Sequence, residues 1–221
     1  MSSTDLAAAQ AKPESQRLKA RREAFLTAAG EVFQEKGYAE TTLDDVIARS
    51  GGSRQTLYAL FGGKQGLFEA IVTDTCETIF RGLTPKEFAR APDELLREVG
   101  ARYLAIVTGP KCIALNRLIV AEAPRFPDLA RQYWKLGPGR SRAFLTEFFE
   151  GRKERGLLQM LDCAAAADHF LDMLTGTIRL QRLLGLREPP EPAEIERLVE
   201  SAVAGFLHGY ATPAPPQGQP T

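Results

Sequence analysis

The residues best suited to chemistry lie close together near the N-terminus. Between positions 42 and 64 the chain carries Thr42, Ser53, Arg54, Gln55, Thr56, Tyr58 and Lys64. These side chains donate hydrogen bonds or present small polar surfaces, and that chemistry fits a nucleic acid. An arginine can fork onto the acceptor edge of guanine, a glutamine onto adenine, and a threonine methyl can touch the methyl of thymine. Arg54, Gln55 and Thr56 are therefore candidates for reading base edges. Tyr58 and Lys64 suit phosphates, and Thr42 can open a helix whose free N–H groups meet the phosphate backbone. Just upstream, Lys12, Arg17, Lys19, Arg21 and Arg22 face only Glu14, an excess of four positive charges in a chain whose 28 basic and 28 acidic residues cancel. A DNA contact must then be local, and the basic stretch including Arg21 is either part of it or a solvated tail.

Other chemistries find less support. No P-loop, GxGxxG, HExxH or GxSxG pattern occurs, so no catalytic residue and no cofactor is assigned. Asp44-Asp45 is a paired carboxylate, but its place in the first turn of a predicted helix is explained by the helix dipole. Cys76, Cys112 and Cys163 form no CxxC spacing and stand far from His169 and His208 in sequence, so neither a disulfide framework nor a metal site is expected. Buried thiols are the plain reading, with redox sensing by an exposed one as the alternative. Apolar runs reach neither the ~18 residues of a membrane span nor the pattern of a signal peptide, which predicts a cytoplasmic protein with no membrane partner.

The elements that must position these residues read as helices throughout, an all-α fold. Leu18, Phe25, Ala28, Ala29, Val32 and Phe33 make one apolar face of a helix from about 13 to 36, closed at Gly37. Thr41 or Thr42 caps a short second helix with Leu43, Val46 and Ile47 inward, and Gly51-Gly52 ends it. Ser53 caps a third, 54 to 61, with Leu57 and Phe61 inward. Two short helices around a glycine turn are the means of laying the second in a major groove, although the shape alone also occurs in unrelated helical proteins. Thus 1–12 is expected to be a loose tail, 13–63 a three-helix DNA-binding domain, 64–211 a larger helical bundle and 212–221 a second tail. In the bundle, helices are predicted from Lys64 and at about 92–107, 111–123, 126–155, 164–185 and 193–210.

The run from Thr41 to Phe68 closely resembles the tetracycline-repressor (TetR) family. The features that carry the likeness are Phe33, Gly37 and Tyr38 at the end of helix one, Thr41-Thr42, Gly51 with Ser53, Thr56-Leu57-Tyr58 with Phe61, and Lys64 with Leu67-Phe68. The resemblance implies that Thr42, Ser53, Arg54, Gln55, Thr56, Tyr58 and Lys64 lie against double-stranded operator DNA. Three positions depart from the family pattern: Gly52, where a Val is common, so that the glycine is expected to loosen the turn; Leu60, where a His or Tyr often meets phosphate; and Gly63, where a Ser or Asn often caps. The stretch from Arg117 to Pro127, with Trp134 and Phe148-Phe149, is similar to the C-terminal region of the AefR-like subset.

For the larger domain the resemblance implies a homodimer formed by the last two helices, with Leu171, Leu174, Ile178, Leu198, Ala202 and Phe206 as the expected contacts, and a cavity for an unidentified small-molecule effector. Phe80, Phe88, Tyr103, Trp134, Phe144 and Phe148, with Asn116, Arg117 and Glu122 as polar handles, are candidate lining residues, and ordinary core packing explains them equally well. The expected function is an effector-released repressor binding palindromic DNA. The alternatives are a ligand-independent DNA binder or protein-responsive regulator, and a helical enzyme.

Overall fold

The computed structural model describes residues 3–80 and 90–210 and, within them, the side chains from Gln16 onward apart from Phe80. Eleven helices make up the described residues: α1 (Ser3–Glu40), α2 (Leu43–Ser50), α3 (Arg54–Phe61), α4 (Lys64–Phe80), α5 (Pro92–Thr108), α6 (Pro110–Glu122), α7 (Pro127–Leu136), α8 (Pro138–Glu154), α9 (Cys163–Thr175), α10 (Ile178–Leu183) and α11 (Pro192–Tyr210). They fall into two compact units, one holding the chain up to Asp74 together with Ala114–Tyr133, the other Thr75–Ile113 with Trp134 onward. Helices α4, α6 and α7 each begin in one unit and end in the other.

In the first unit the predicted stripe of α1 supplies the core: Phe25, Ala28, Ala29, Val32 and Phe33 are buried, with Val46, Leu57, Leu67, Phe68 and Val72 from the helices that follow. Aromatic edges lock them, Phe25 against Phe61 and Phe33 against Phe68 in T-shaped pairs, an arrangement that suits the ring quadrupoles. Leu18, which the spacing places on the same stripe, is 53% exposed, outside the buried core of this unit. The α1 backbone begins at Ser3, where the sequence predicts a loose tail over 1–12; Ala7-Ala8-Ala9 and Ala11 are the strongest intrinsic helix formers and explain the extension. Gly37 interrupts it with φ 78° and ψ 169°, where the sequence places its cap. The tail predicted for 212–221 lies outside the described residues.

The second unit is a bundle in which α5, α8, α9 and α11 bury Leu95, Leu96, Leu104, Phe148, Phe149, Phe170, Leu174, Val203 and Phe206. Phe206 is its centre, stacked on Phe149 at 5.2 Å and meeting Phe170 edge-on at 5.1 Å. Two predicted helices are each broken in two. The stretch 126–155 divides at Gly137-Pro138 into α7 and α8, since a proline offers no N–H and its ring strikes the preceding turn. The stretch 164–185 divides at Gly176 into α9 and α10.

Candidate nucleic-acid interface

Helix α2 is fixed at its start by a reciprocal cap. The Thr42 hydroxyl accepts from the Asp45 amide at 3.2 Å, and Asp45 Oδ2 accepts from the Thr42 amide at 3.0 Å. Lys36 Nζ donates to the other Asp45 oxygen at 2.6 Å. This lysine, followed by the Thr42 donors, holds the Asp45 pKa down at about 2. Such a cap satisfies donors that a helix start otherwise leaves free.

The turn that follows is closed against α1. Arg21 Nη1 donates to the Ser50 carbonyl at 3.2 Å. Gly52 has φ 98°, and a Cβ there would stand 2.9 Å from Phe25 Cζ. The departure from the family pattern at Gly52 predicts a loosened turn, and the close packing found here is the opposite. Gly52 lets the turn lie on the Phe25 ring, which occupies the space a side chain would need. Ser53 then caps α3, accepting from the Thr56 amide at 3.1 Å and sharing a hydrogen bond with the Thr56 hydroxyl at 2.8 Å.

Within α3, Leu57 is fully buried while Arg54, Gln55 and Tyr58 are exposed and Thr56 half-buried. One helical face is anchored and the opposite face carries hydrogen-bonding side chains to solvent. Thr42 and Ser53 are exposed beside them. Arg54 Nη2 is paired with Asp44 Oδ2 at 2.5 Å, which raises the arginine pKa. Asp44 is a member of this surface that helix-dipole reasoning alone does not find; its ten-residue separation from Arg54 across the turn is the only signal in the sequence.

Lys64 is placed differently from its neighbours. Its ammonium donates to the carbonyls of Tyr38 at 2.8 Å, Ala39 at 3.1 Å and Thr41 at 3.0 Å, and lies 4.6 Å from the centre of the Tyr38 ring. Desolvation there lowers its pKa. All three ammonium donors are thus engaged within the protein.

The candidate effector residues that the structure describes are divided between the two units. Tyr103 and Phe148 are buried in the core of the second unit and Phe144 packs against it. Trp134 is 58% exposed, and Arg117 is exposed on α6. Asn116 is buried and accepts from the Tyr133 hydroxyl at 2.7 Å within the first unit. Glu122 accepts from the Ala39 amide. The Phe80 side chain and Phe88 lie outside the described residues. A groove of about 380 Å³ in the second unit is lined by Thr78, Arg102, Ala105 and Ile106, none of them among these candidates.

Of the six residues expected at a dimer contact, Leu174, Ile178, Ala202 and Phe206 are buried within the protomer, and Leu171 and Leu198 are half-buried at the edge of the same core. The strongest apolar stripe of a bundle helix goes to its own core. The apolar side chains these helices turn outward are instead Met173 and Leu180, with Leu184 just beyond. The three cysteines are buried, and burial pushes the Cys76 thiol up to about 11. Among the described residues no cluster of His, Cys, Asp or Glu could hold a metal ion, and no single helix is long and apolar enough to cross a membrane.

Residues 25–71 match the tetR family of bacterial regulatory proteins, and residues 94–212, more than half of the chain, match the C-terminal domain of AefR-like transcriptional repressors. The chain belongs to the TetR family. It is similar to a TetR-family transcriptional regulator from Mesorhizobium loti, with 28% identity and a TM-score of 0.73 over 89% of this chain and 99% of that one. It is also similar to the flavonoid-responsive regulator FrrA, at 32% identity and a TM-score of 0.69 over 88% and 98% of the two chains. An uncharacterised HTH-type transcriptional regulator of Bacillus subtilis, YvkB, is 25% identical over 85% of this chain and 95% of its own length. This TetR-family chain is therefore a transcriptional regulator, and α1 to α3 are its helix-turn-helix DNA-binding region, with the AefR-like C-terminal domain that the Arg117–Pro127 stretch predicts. Its relatives are regulators and not enzymes.

Proposed function

We propose that the protein is a cytoplasmic repressor that binds palindromic operator DNA as a homodimer and leaves it when a small molecule binds the larger domain. The observation that carries this reading is the exposed Arg54–Gln55–Tyr58 face of α3, held rigid by the buried Leu57 and the Ser53 cap. Arg54, Gln55 and Thr56 read base edges. Ser53, Tyr58 and the N-terminus of α2 at Thr42 meet phosphates, while Arg21 acts by holding the turn and adding positive potential. Lys64, occupied by three carbonyls, supports the fold of this surface ahead of contacting DNA.

A two-fold dimer presents two such helices to two half-sites. Its contact uses the outward faces of the last helices, where Met173 and Leu180 stand with Ala204 and Gly205, both exposed. Repression and effector release are supported by the AefR-like repressor match and by a relative described as flavonoid-responsive. By linkage, the effector must bind the DNA-incompetent state more tightly than the competent one.

The test is selection of DNA fragments by the purified protein at a fixed salt concentration, with sequencing of what is retained. Enrichment of a palindrome is expected. Retention of DNA without any sequence preference, across a range of salt, would count against a specific operator. With the selected fragment as probe, failure of every small molecule screened to release it would favour a regulator that answers to a protein or to nothing.

A further inference from the structure

The short segment from the break in α1 at Gly37 to Thr42, the cap of α2, is held from two sides. Lys64 takes the carbonyls of Tyr38, Ala39 and Thr41. From the other side, at a separation of 83 residues, the last residue of α6 takes the amide: Glu122 Oε1 accepts from Ala39 N at 3.2 Å. The approach is close, since a Cβ on Gly37 would come within 2.9 Å of that same oxygen. Beside it, Phe126 meets Tyr38 edge-on with ring centres 5.4 Å apart.

The hairpin that delivers Glu122 is itself braced. Glu122 O accepts from the amides of Arg125 and Phe126 to build the turn between α6 and α7, and the buried Tyr133 to Asn116 bond ties the two helices together below it. The backbone of Glu122 thus shapes the hairpin while its side chain grips the α1–α2 junction. This grip at Ala39 lies one short step upstream of Thr42, the residue whose cap sets the direction of α2 and, through the turn, of α3.

We infer that Glu122 is a positioning residue for operator binding, through which the α6–α7 hairpin orders the α1–α2 junction and so pre-sets the angle of the DNA-reading helices. Pre-ordering helps because a junction already fixed loses no conformational freedom on binding. Glu122 touches no DNA in this reading, so its loss lowers affinity without removing a phosphate contact. The inference rests on the DNA-binding role proposed above.

The experiment compares the wild type, Glu122→Ala and Glu122→Gln as full-length proteins. Amide exchange at Ala39 is measured first, without DNA. Loss of the acceptor is expected to speed it by about tenfold in Glu122→Ala, while the amides of Phe25 and Val32 are unchanged, and the glutamine, which keeps an acceptor oxygen, restores it. Binding to the selected operator fragment is then titrated at several salt concentrations. Glu122→Ala is expected to bind about tenfold more weakly with the salt dependence of the wild type, and Glu122→Gln to recover most of the affinity. Unchanged exchange at Ala39, equal operator affinity for the alanine variant, or a glutamine variant as weak as alanine would each overturn the role assigned to Glu122. A wild type that retains no DNA would overturn the DNA-binding reading instead, and the exchange measurement keeps that outcome separate.

Discussion

Arg54 and Asp44 meet across the turn between α2 and α3, with Nη2 and Oδ2 2.5 Å apart and both side chains more than half exposed. An exposed pair of this kind contributes little stability, because water screens it. Its effect is on orientation: the carboxylate holds the guanidinium at the exposed face of α3, and in the operator complex proposed above it would yield it, wholly or in part, to a base.

Arg54→Ala is accordingly expected to weaken binding to the selected operator by about 1–3 kcal/mol, the range for one bidentate base contact, and to leave binding to scrambled DNA nearly unchanged. Competition titrations with the two DNAs decide it. An equal loss on both would assign Arg54 to the phosphates.

Lys64→Met tests the opposite case. Its ammonium serves Tyr38, Ala39 and Thr41, so the substitution leaves three carbonyls short of a donor and is expected to cost about 1–3 kcal/mol of folding stability. Urea unfolding measures that loss. A phosphate contact would instead reduce the slope of log affinity against log salt by about 0.9 and leave the unfolding midpoint in place.

The Asp45 cap gives a pH dependence with a definite sign. The folded-state pKa of Asp45 lies at about 2 against an ordinary 3.8, chiefly through Lys36. A depressed carboxylate contributes stability that is present above the unfolded value and lost as pH falls through the folded one. The difference in melting temperature between the wild type and Asp45→Asn should then be present above pH 3.8 and disappear as pH falls to about 2. A difference that grows on acidification would show that the cap is not made by the ionised group. Thr42→Ala should cost about 1 kcal/mol by thermal unfolding, the usual loss for an N-cap.

Gly52→Ala is expected to destabilise by about 1–3 kcal/mol, since a side chain there combines left-handed backbone with a collision at Phe25. Denaturant titration of this variant beside Gly30→Ala separates the two effects of a glycine. Gly30 is helical and has open space where a Cβ would go, so alanine there should be neutral or stabilising.

Local chemistry is what the sequence conveys well. The caps at Thr42 and Ser53, the buried face of α3 and the Phe25–Phe33 stripe all follow from residues within a few turns of one another, and the helix-turn-helix was legible for that reason. Periodicity says which residues share a stripe but not where the partner surface stops, so Leu18 was assigned to a core that does not reach it. It also cannot say whether a stripe meets its own bundle or a second chain, and Phe206 and Leu174 went to their own bundle. The breaks at Gly137-Pro138 and Gly176 were present as helix-breaking residues inside otherwise continuous patterns, and they outweigh the apolar spacing around them. Lys64 and Glu122 find their partners across 23 to 26 and 83 residues. Nothing local marks such a pairing, and a lysine or glutamate read alone looks equally suited to a phosphate or a ligand.

The rings of Phe149, Phe170 and Phe206 close on one another inside a single chain. The core of this bundle thus borrows none of these rings from a second copy. On the homodimer proposed above, folding and association are then expected to be separate equilibria, so that dilution shifts how many copies are paired without unfolding them. In that reading the amount of regulator in the cell is a control variable in its own right, acting on operator occupancy alongside the proposed effector.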